Sequence, residues 1–217
     1  MRKCLYILTA LVFLAALGCA MGTDYVRLTY MPGSSYEEAG GRNVVLMHKP
    51  LDKRIDFQGD QIGTKKDQLG VPLGEIRLEG GKGVAELTGE AINNLVRSKG
   101  YKTRIIEYGY TPPDRKTKRE LLALLKVSVN KFNIYLERGL LGPTISADSN
   151  VELVLMDPIT EKIIWENTVR ATYKREHVQI INNRLFNEVA DGMFKRLMYE
   201  IDNSIPWSKL SELSLKK

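Results

Sequence analysis

The feature that most constrains the fold is a run of three alternating apolar stretches in the second half of the chain. In the first, Leu121–Leu136, apolar residues alternate in two halves that are one residue out of step at Asn130-Lys131. Residues 151–155 and 163–174 continue the same period of two. Alternation of this kind is typical of strands with one buried face. We therefore predict a three-strand antiparallel meander with a β-bulge at the slip.

Two segments have the three-and-four spacing of amphipathic helices. The first runs from Val84 to Lys99 and precedes Gly100, a typical C-cap residue. The second runs from His177 to Asp202 and is followed by Pro206, which cannot continue a helix. Shorter strands are predicted at residues 26–30, 43–47, 76–78 and 101–108, with loops and an edge hairpin between 49 and 74.

These elements predict an α+β domain in which a mostly antiparallel sheet carries both amphipathic helices on one face. We place this single domain at residues 24–206. Residues 207–217 form a C-terminal tail, for which the sequence leaves open a short helix or a frayed end.

The N-terminus has the pattern of an export signal. Arg2 and Lys3 precede the apolar run Leu5–Leu17, which is shorter than the roughly 20 residues that a spanning helix needs. Ala16-Leu17-Gly18-Cys19 resembles the lipobox of bacterial lipoproteins, although Ala16 stands where Leu is usual. An ordinary cleaved signal and a retained anchor helix are the alternatives.

The lipobox predicts that residues 1–18 are a signal peptide, that Cys19 is lipidated and that residues 19–23 are the tether. Cys4 leaves with the signal, so the mature chain has no thiol for catalysis, a disulfide or metal binding. Ala20, where Asp would favour inner-membrane retention, favours the outer membrane.

The mature chain is mildly basic. Arg2 and Lys3 account for two of the six net positive charges, which leaves four. This balance suits anionic lipid headgroups or glycan phosphates, but it is too weak and too scattered to indicate nucleic-acid binding.

Several loose patterns together resemble the YajG-type family of bacterial lipoproteins. They are the lipobox, Asp52-Lys53-Arg54 with Ile62-Gly63, the helix end Arg97–Tyr101, the strand Val127–Ile134, the block Val151–Trp165 and the long closing helix. The resemblance covers about Val26 to Asp202. It implies a periplasm-facing α+β domain attached to the outer membrane, without an assigned enzymatic activity. Cys19 is the one functional residue that it supplies.

No pattern for catalysis or metal binding is evident in the sequence. His48 and His177 are more than a hundred residues apart, and neither has a zinc-type spacing. No G-x-S-x-G motif occurs, and Gly80-Gly81-Lys82-Gly83 departs from the P-loop at Ile76 and Gly83. We predict no catalytic residue, no metal and no cofactor, and we expect that the protein is not an enzyme.

Two segments are candidates for binding. Leu140 and Leu141 sit at a predicted hairpin tip, where an apolar pair can contact a partner or fold back onto the core. Four basic residues in the loop 111–120 can meet lipid phosphates or acidic glycans, or remain a solvated loop. They are Arg115, Lys116, Lys118 and Arg119.

The sequence therefore favours a non-enzymatic lipoprotein of the outer membrane that faces the periplasm and binds an envelope protein partner. The membrane is contacted through the lipid anchor. The alternative is a lipid- or glycolipid-handling accessory subunit of an envelope transport machine. That alternative needs an apolar pocket between the sheet and the helices, and a solid core would count against it.

Overall fold

The computed structural model describes residues 22–33, 43–66, 69–110, 120–139, 142–178 and 181–215. Within them the chain forms nine strands and three helices. The strands are β1 (Asp24–Val26), β2 (Val44–His48), β3 (Leu51–Asp52), β4 (Gln61–Lys66), β5 (Pro72–Leu78), β6 (Lys102–Ile106), β7 (Leu121–Gly139), β8 (Gly142–Met156) and β9 (Ile163–Arg175). The helices are α1 (Val84–Ser98), α2 (Asn183–Ser204) and α3 (Trp207–Leu215).

The longest strand, β7, organises the sheet. Along one side it pairs with antiparallel β8, from Leu124 opposite Met156 to Gly139 opposite Gly142. Along the other side it pairs in succession with β2, β3 and β4, all parallel to it. The register with β8 shifts between Val129 and Lys131, which confirms the predicted bulge. Strand β9 pairs antiparallel with β8 and completes the predicted meander.

The prediction of a mostly antiparallel sheet is wrong, because the sheet is mixed. The pairs β1–β5 and β2–β6 are parallel, like the three pairs on the far side of β7, whereas β4–β5, β7–β8 and β8–β9 are antiparallel. The α+β class itself is confirmed. Antiparallel neighbours are joined by short turns that leave a local signal, but parallel neighbours are joined by long crossovers that leave none.

The two predicted helices are confirmed with three shifted boundaries, and the structure adds a third helix; the second helix also runs to Ser204, two residues past its predicted end. Helix α1 ends one residue before its predicted end, and Gly100 has the positive φ of 89° that suits a residue after a helix. Helix α2 begins at Asn183 rather than His177, because the Asn182 side chain caps it by accepting a hydrogen bond from the Leu185 N–H at 3.0 Å. The tail forms a third helix, α3.

All three helices cover the same face of the sheet, since one hydrophobic cluster contains residues from each of them. Phe132 of β7 meets Phe194 of α2 edge to face, with ring centroids 6.2 Å apart. A smaller cluster, which includes Leu46 and Leu124, lies on the opposite face at one end of the sheet. Among the described residues, no helix has the length and apolarity to span a bilayer.

Candidate functional site

The residues that the sequence nominates all lie outside the described residues. They are Cys19, Arg115, Lys116, Lys118, Arg119, Leu140 and Leu141. Their proposed roles stay predictions, and the structure supplies the framework around them. Pairing of Gly139 with Gly142 brings the described stem of the β7–β8 hairpin up to Leu140 and Leu141.

The end of the predicted tether and the segment that follows it are fastened to the domain at several points. The Gly22 N–H donates to the Leu73 carbonyl at 3.2 Å. Further along, the Arg27 N–H donates to Asn187 Oδ1 of α2 at 2.7 Å. The Thr29 N–H and hydroxyl both donate to Asp191 Oδ1, each at 2.8 Å. The folded domain therefore begins within three residues of Cys19.

Asp191 is the electrostatic centre of this attachment. Burial of the carboxyl acts to raise its pKa, but hydrogen bonds from Lys195 and Thr29 outweigh it, so the pKa lies below the usual Asp value. Lys195 Nζ lies 2.7 Å from Asp191 Oδ2. The charged form of Asp191 is thus the one that holds Thr29 against α2, while the neutral amide of Asn187 holds Arg27.

The outer side of β9 is different, because no strand pairs with it among the residues that the structure describes. Lys209 donates to the Ile164 carbonyl at 3.1 Å and Arg196 to the Thr172 carbonyl at 3.4 Å, one near each end of the strand. Since strand residues face alternate sides, the backbone groups of Glu166, Thr168 and Arg170 point the same way as those of Thr172.

Side chains protect this outer side only in part. The Thr168 N–H is taken by Asn167 Oδ1 at 2.8 Å. Glu166, Thr168 and Arg170 are exposed, and exposed charges are a common device against accidental strand pairing. The middle of β9 is therefore a polar strand edge that a matching partner can extend. We call residues 166–170 the β9 edge.

Among the described residues, one apolar cavity between the sheet and the helices is very small. Its volume is about 10 Å³, by this measure about the room that one water molecule takes. Its lining residues are Val45, Val96, Leu125, Leu155, Trp165, Ile205, Trp207 and Leu210. Trp207 closes it by stacking on Tyr101 at 6.2 Å and donating to the Asp202 carbonyl at 2.8 Å. A cavity of this size does not hold an acyl chain.

The two histidines have no catalytic arrangement in the structure. His48 is only 5% exposed, and its ring stacks on that of Tyr108 with centroids 4.2 Å apart. Burial, helped by the charge on Lys126, lowers the pKa of His48. His177 has a positive φ of 53° in the bend between β9 and α2. The described residues contain no cluster of three or more acidic, histidine or cysteine side chains suited to a metal ion.

Acidic residues of the 52–60 segment form structural pairs. Asp52 binds the guanidinium of Arg54 through two hydrogen bonds, at 2.9 and 2.8 Å, and Arg54 is 5% exposed. Asp60 pairs with Arg77 at 2.7 Å, and Asp56 accepts from Asn133 at 3.0 Å. Arg54 also donates to the Gln61 and Gly59 carbonyls, so its donors are occupied by the fold. This network holds the β3–β4 connection.

Sequence reasoning missed two surfaces that the structure makes visible. One is the β9 edge, which is recognisable only once the strand order is known. The other is the β4–β5 hairpin, where Leu69 and Val71 are exposed. Two aliphatic residues around Gly70, between charged segments, were the available signal for the second surface.

Comparison with solved structures shows the fold. A homolog of the neuraminyllactose-binding hemagglutinin from Helicobacter pylori is 13% identical with a TM-score of 0.57, over 87% of this chain and 97% of that one. A DUF330-family protein from Xanthomonas campestris is 9% identical with a TM-score of 0.54, over 88% and 95%. A minor lipoprotein from Acinetobacter baumannii has a TM-score of 0.42 at 9% identity, over 77% and 93%, a value below that of a shared fold.

No family model and no curated protein matches the sequence. The chain is thus an α+β domain similar in fold to two bacterial proteins with which it shares 13% and 9% sequence identity. Those structures carry other family names, so membership of the YajG-type family stays a prediction.

Proposed function

We propose that this protein is a lipid-anchored lipoprotein of the bacterial outer membrane that faces the periplasm and binds a protein partner without catalysing a reaction. The observation that carries the partner-binding part is the β9 edge. A strand with an unpaired side offers backbone donors and acceptors to a strand of another protein, which is a common mode of recognition.

The anchoring part of the proposal is supported by the lipobox and by the fastening of the chain just after it. A lipid on Cys19 stabilises membrane association by about 0.8 kcal/mol per buried CH₂ group, so a multiply acylated cysteine binds strongly. Because Gly22 already contacts Leu73, only a short linker separates the domain from the lipid on Cys19, and the domain lies next to the bilayer.

The rival function, lipid or glycolipid handling, lacks supporting geometry in the described part of the chain. It needs an apolar pocket of several hundred Å³, and the apolar cavity between sheet and helices is about 10 Å³. Two clefts reach about 540 and 470 Å³, but charged side chains such as Lys174 and Arg196 line the first, and Asp52 and Glu86 the second. The non-enzymatic part of the proposal is supported by the dispersed histidines and by acidic residues already committed to structural pairs.

The anchor is tested with Cys19→Ser in the full-length protein. We expect loss of palmitate labelling and release from the membrane fraction, while the domain keeps its circular dichroism spectrum. Palmitate label that persists in this variant would contradict lipidation at Cys19.

The partner site is tested by photocrosslinking in living cells, with the photoreactive residue at Glu166. The matched control carries it at Tyr25, which is 53% exposed on β1, separated from β9 by β5, β4, β7 and β8 in the strand order. A discrete protein adduct from position 166 and none from 25 supports the proposal. Equal yields from the two positions, or no protein adduct from 166, would count against the β9 edge as the partner site.

The backbone contribution is isolated by repeating the Glu166 experiment with Arg170→Pro and with Arg170→Ala. Both remove the charge, but only proline removes the outward N–H. We expect the adduct to be lost with proline and retained with alanine. Loss with both would identify the Arg170 side chain, rather than strand pairing, as the determinant.

A further inference from the structure

The tip of the β4–β5 hairpin exposes aliphatic side chains beside the tether. Leu69 is 88% exposed and Val71 is 52% exposed, and they stand between the end of β4 at Lys66 and the start of β5 at Pro72. Asp67 and Gln68 lie outside the described residues. Exposed aliphatic side chains that lie together on one turn offer an apolar contact to a partner or a membrane.

The tether reaches the base of the same hairpin. The Gly22 N–H bonds to the Leu73 carbonyl, and the approach is so close that a Cβ on Gly74 would stand 1.9 Å from the Gly22 carbonyl oxygen. Cys19 is three residues before Gly22, a reach of at most about 10 Å. Leu69 is four residues from Leu73, a reach of about 13 Å. The lipid on Cys19 and the aliphatic tip can therefore lie at the same depth relative to the bilayer.

The strand directions place this tip at one defined end of the sheet. Strand β4 runs parallel to β7, with Gly63 opposite Ile134, so the β4–β5 and β7–β8 hairpins both project from that end. The turn between β8 and β9 lies at the other end. Strand β8 has 15 residues, which corresponds to about 50 Å between the two ends.

The charges around the tip are balanced and do not oppose a lipid surface. Lys65 is paired with Asp24 at 2.9 Å, and Glu75 is paired with Arg77 at 2.7 Å, so neither of these acids presents an unpaired charge to the bilayer. Lys66 is exposed at the end of β4, and Asp67 follows it in the sequence. The membrane contact therefore rests on the exposed aliphatic side chains and on the nearby tether, and Lys66 can reach lipid headgroups with its flexible side chain.

We propose that Leu69 and Val71 insert into the leaflet that holds the lipid on Cys19 and form a second membrane contact. The inference rests on the lipidation proposed above. A lipid anchor alone leaves the domain free to rotate about its tether. The anchor and the hairpin contact together define the orientation of the domain on the membrane. With this end of the sheet on the bilayer, the strands rise away from it and the β9 edge faces sideways into the periplasm.

The test places a photoreactive residue at Leu69 or at Val71 in the full-length protein, in cells whose phospholipids are labelled with radioactive phosphate. The matched control is Ile159, which is 55% exposed in the turn at the other end of the sheet. The lipid on Cys19 contains no phosphate, so a phosphate-labelled adduct reports the hairpin contact alone. Palmitate labelling of the same variants reports the anchor.

We expect phosphate-labelled adducts from positions 69 and 71 and none from 159. Palmitate label with no phosphate adduct above the Ile159 control would overturn the hairpin contact and leave lipidation standing. Absence of palmitate together with phosphate adducts at 69 and 71 would reject lipidation but keep the contact. A protein adduct from position 69 in place of lipid would overturn the inference and make the hairpin a protein-docking site.

Discussion

The β1 edge and the β9 edge of the sheet differ in how their backbone hydrogen-bonding groups are satisfied. Beyond β1, the chain turns along α2, and Asn187 and Asp191 take up the backbone N–H groups of Arg27 and Thr29. Beyond β9, two cationic side chains reach single carbonyls near the ends, and no strand of the described residues pairs with the middle. A strand edge that the fold closes serves stability, whereas one that it leaves open is available for recognition.

The largest expected difference in stability is between proline substitutions at two adjacent positions of β9, one with its N–H toward β8 and one with its N–H outward. Val169→Pro removes an N–H on the β8 side, leaves its partner carbonyl unsatisfied and disturbs a 95% buried residue. We expect a loss of about 3 kcal/mol in the free energy of unfolding. Arg170→Pro should cost less than about 1 kcal/mol, since its N–H points outward. Chemical denaturation of both variants checks this, and equal losses would show that the outer side of β9 is not open.

An intermediate effect is expected at the closed side. Asp191→Asn keeps the shape but removes the charge that accepts from Thr29 and Lys195. Because the carboxylate is partly exposed, we expect a loss of about 1 kcal/mol at neutral pH.

The pH dependence of that loss gives a second readout. The pKa of Asp191 is lowered in the folded protein, so its contribution is present above the unfolded Asp value of about 3.9 and disappears as the pH falls through the folded pKa. The unfolding free energies of wild type and Asp191→Asn should therefore converge below pH ~4. A constant difference at all pH values would show that the charge is not what closes this side.

The smallest effect on stability, but an informative one, is expected from Gly74→Ala. The new Cβ collides with the Gly22 carbonyl oxygen, and we expect the Gly22 backbone to move away at a cost below about 1 kcal/mol. The tether then leaves the hairpin, so the phosphate adduct from Leu69 should fall while the melting temperature hardly changes. Gly33→Ala is the matched control, since a Cβ there meets nothing within 4 Å. An unchanged adduct yield would show that the tether does not set the hairpin's position.

Local patterns predicted the parts of the fold whose signals are local. The bulge between Val129 and Lys131 followed from a slip in alternation, and α1 followed from its apolar spacing and Gly100. The start of α2 was misplaced by six residues because the apolar spacing extends upstream of the Asn182 cap. An N-cap is decided by one side chain, and Asn182 can be recognised as the cap only when the backbone before it is seen to leave the helix.

The features of the candidate site also fall into those defined by local sequence and those defined by tertiary contacts. The lipobox-like pattern that ends at Cys19 and the lack of catalytic sequence motifs are properties of the sequence by itself, because export signals and catalytic signatures are contiguous or closely spaced residues. The mixed sheet, the open β9 edge, the closed side beside α2 and the meeting of Gly22 with the β4–β5 hairpin depend on contacts between residues far apart in the chain. Only the tertiary structure decided these, since which strands become neighbours is set by burial of the whole core and leaves no mark within any single strand.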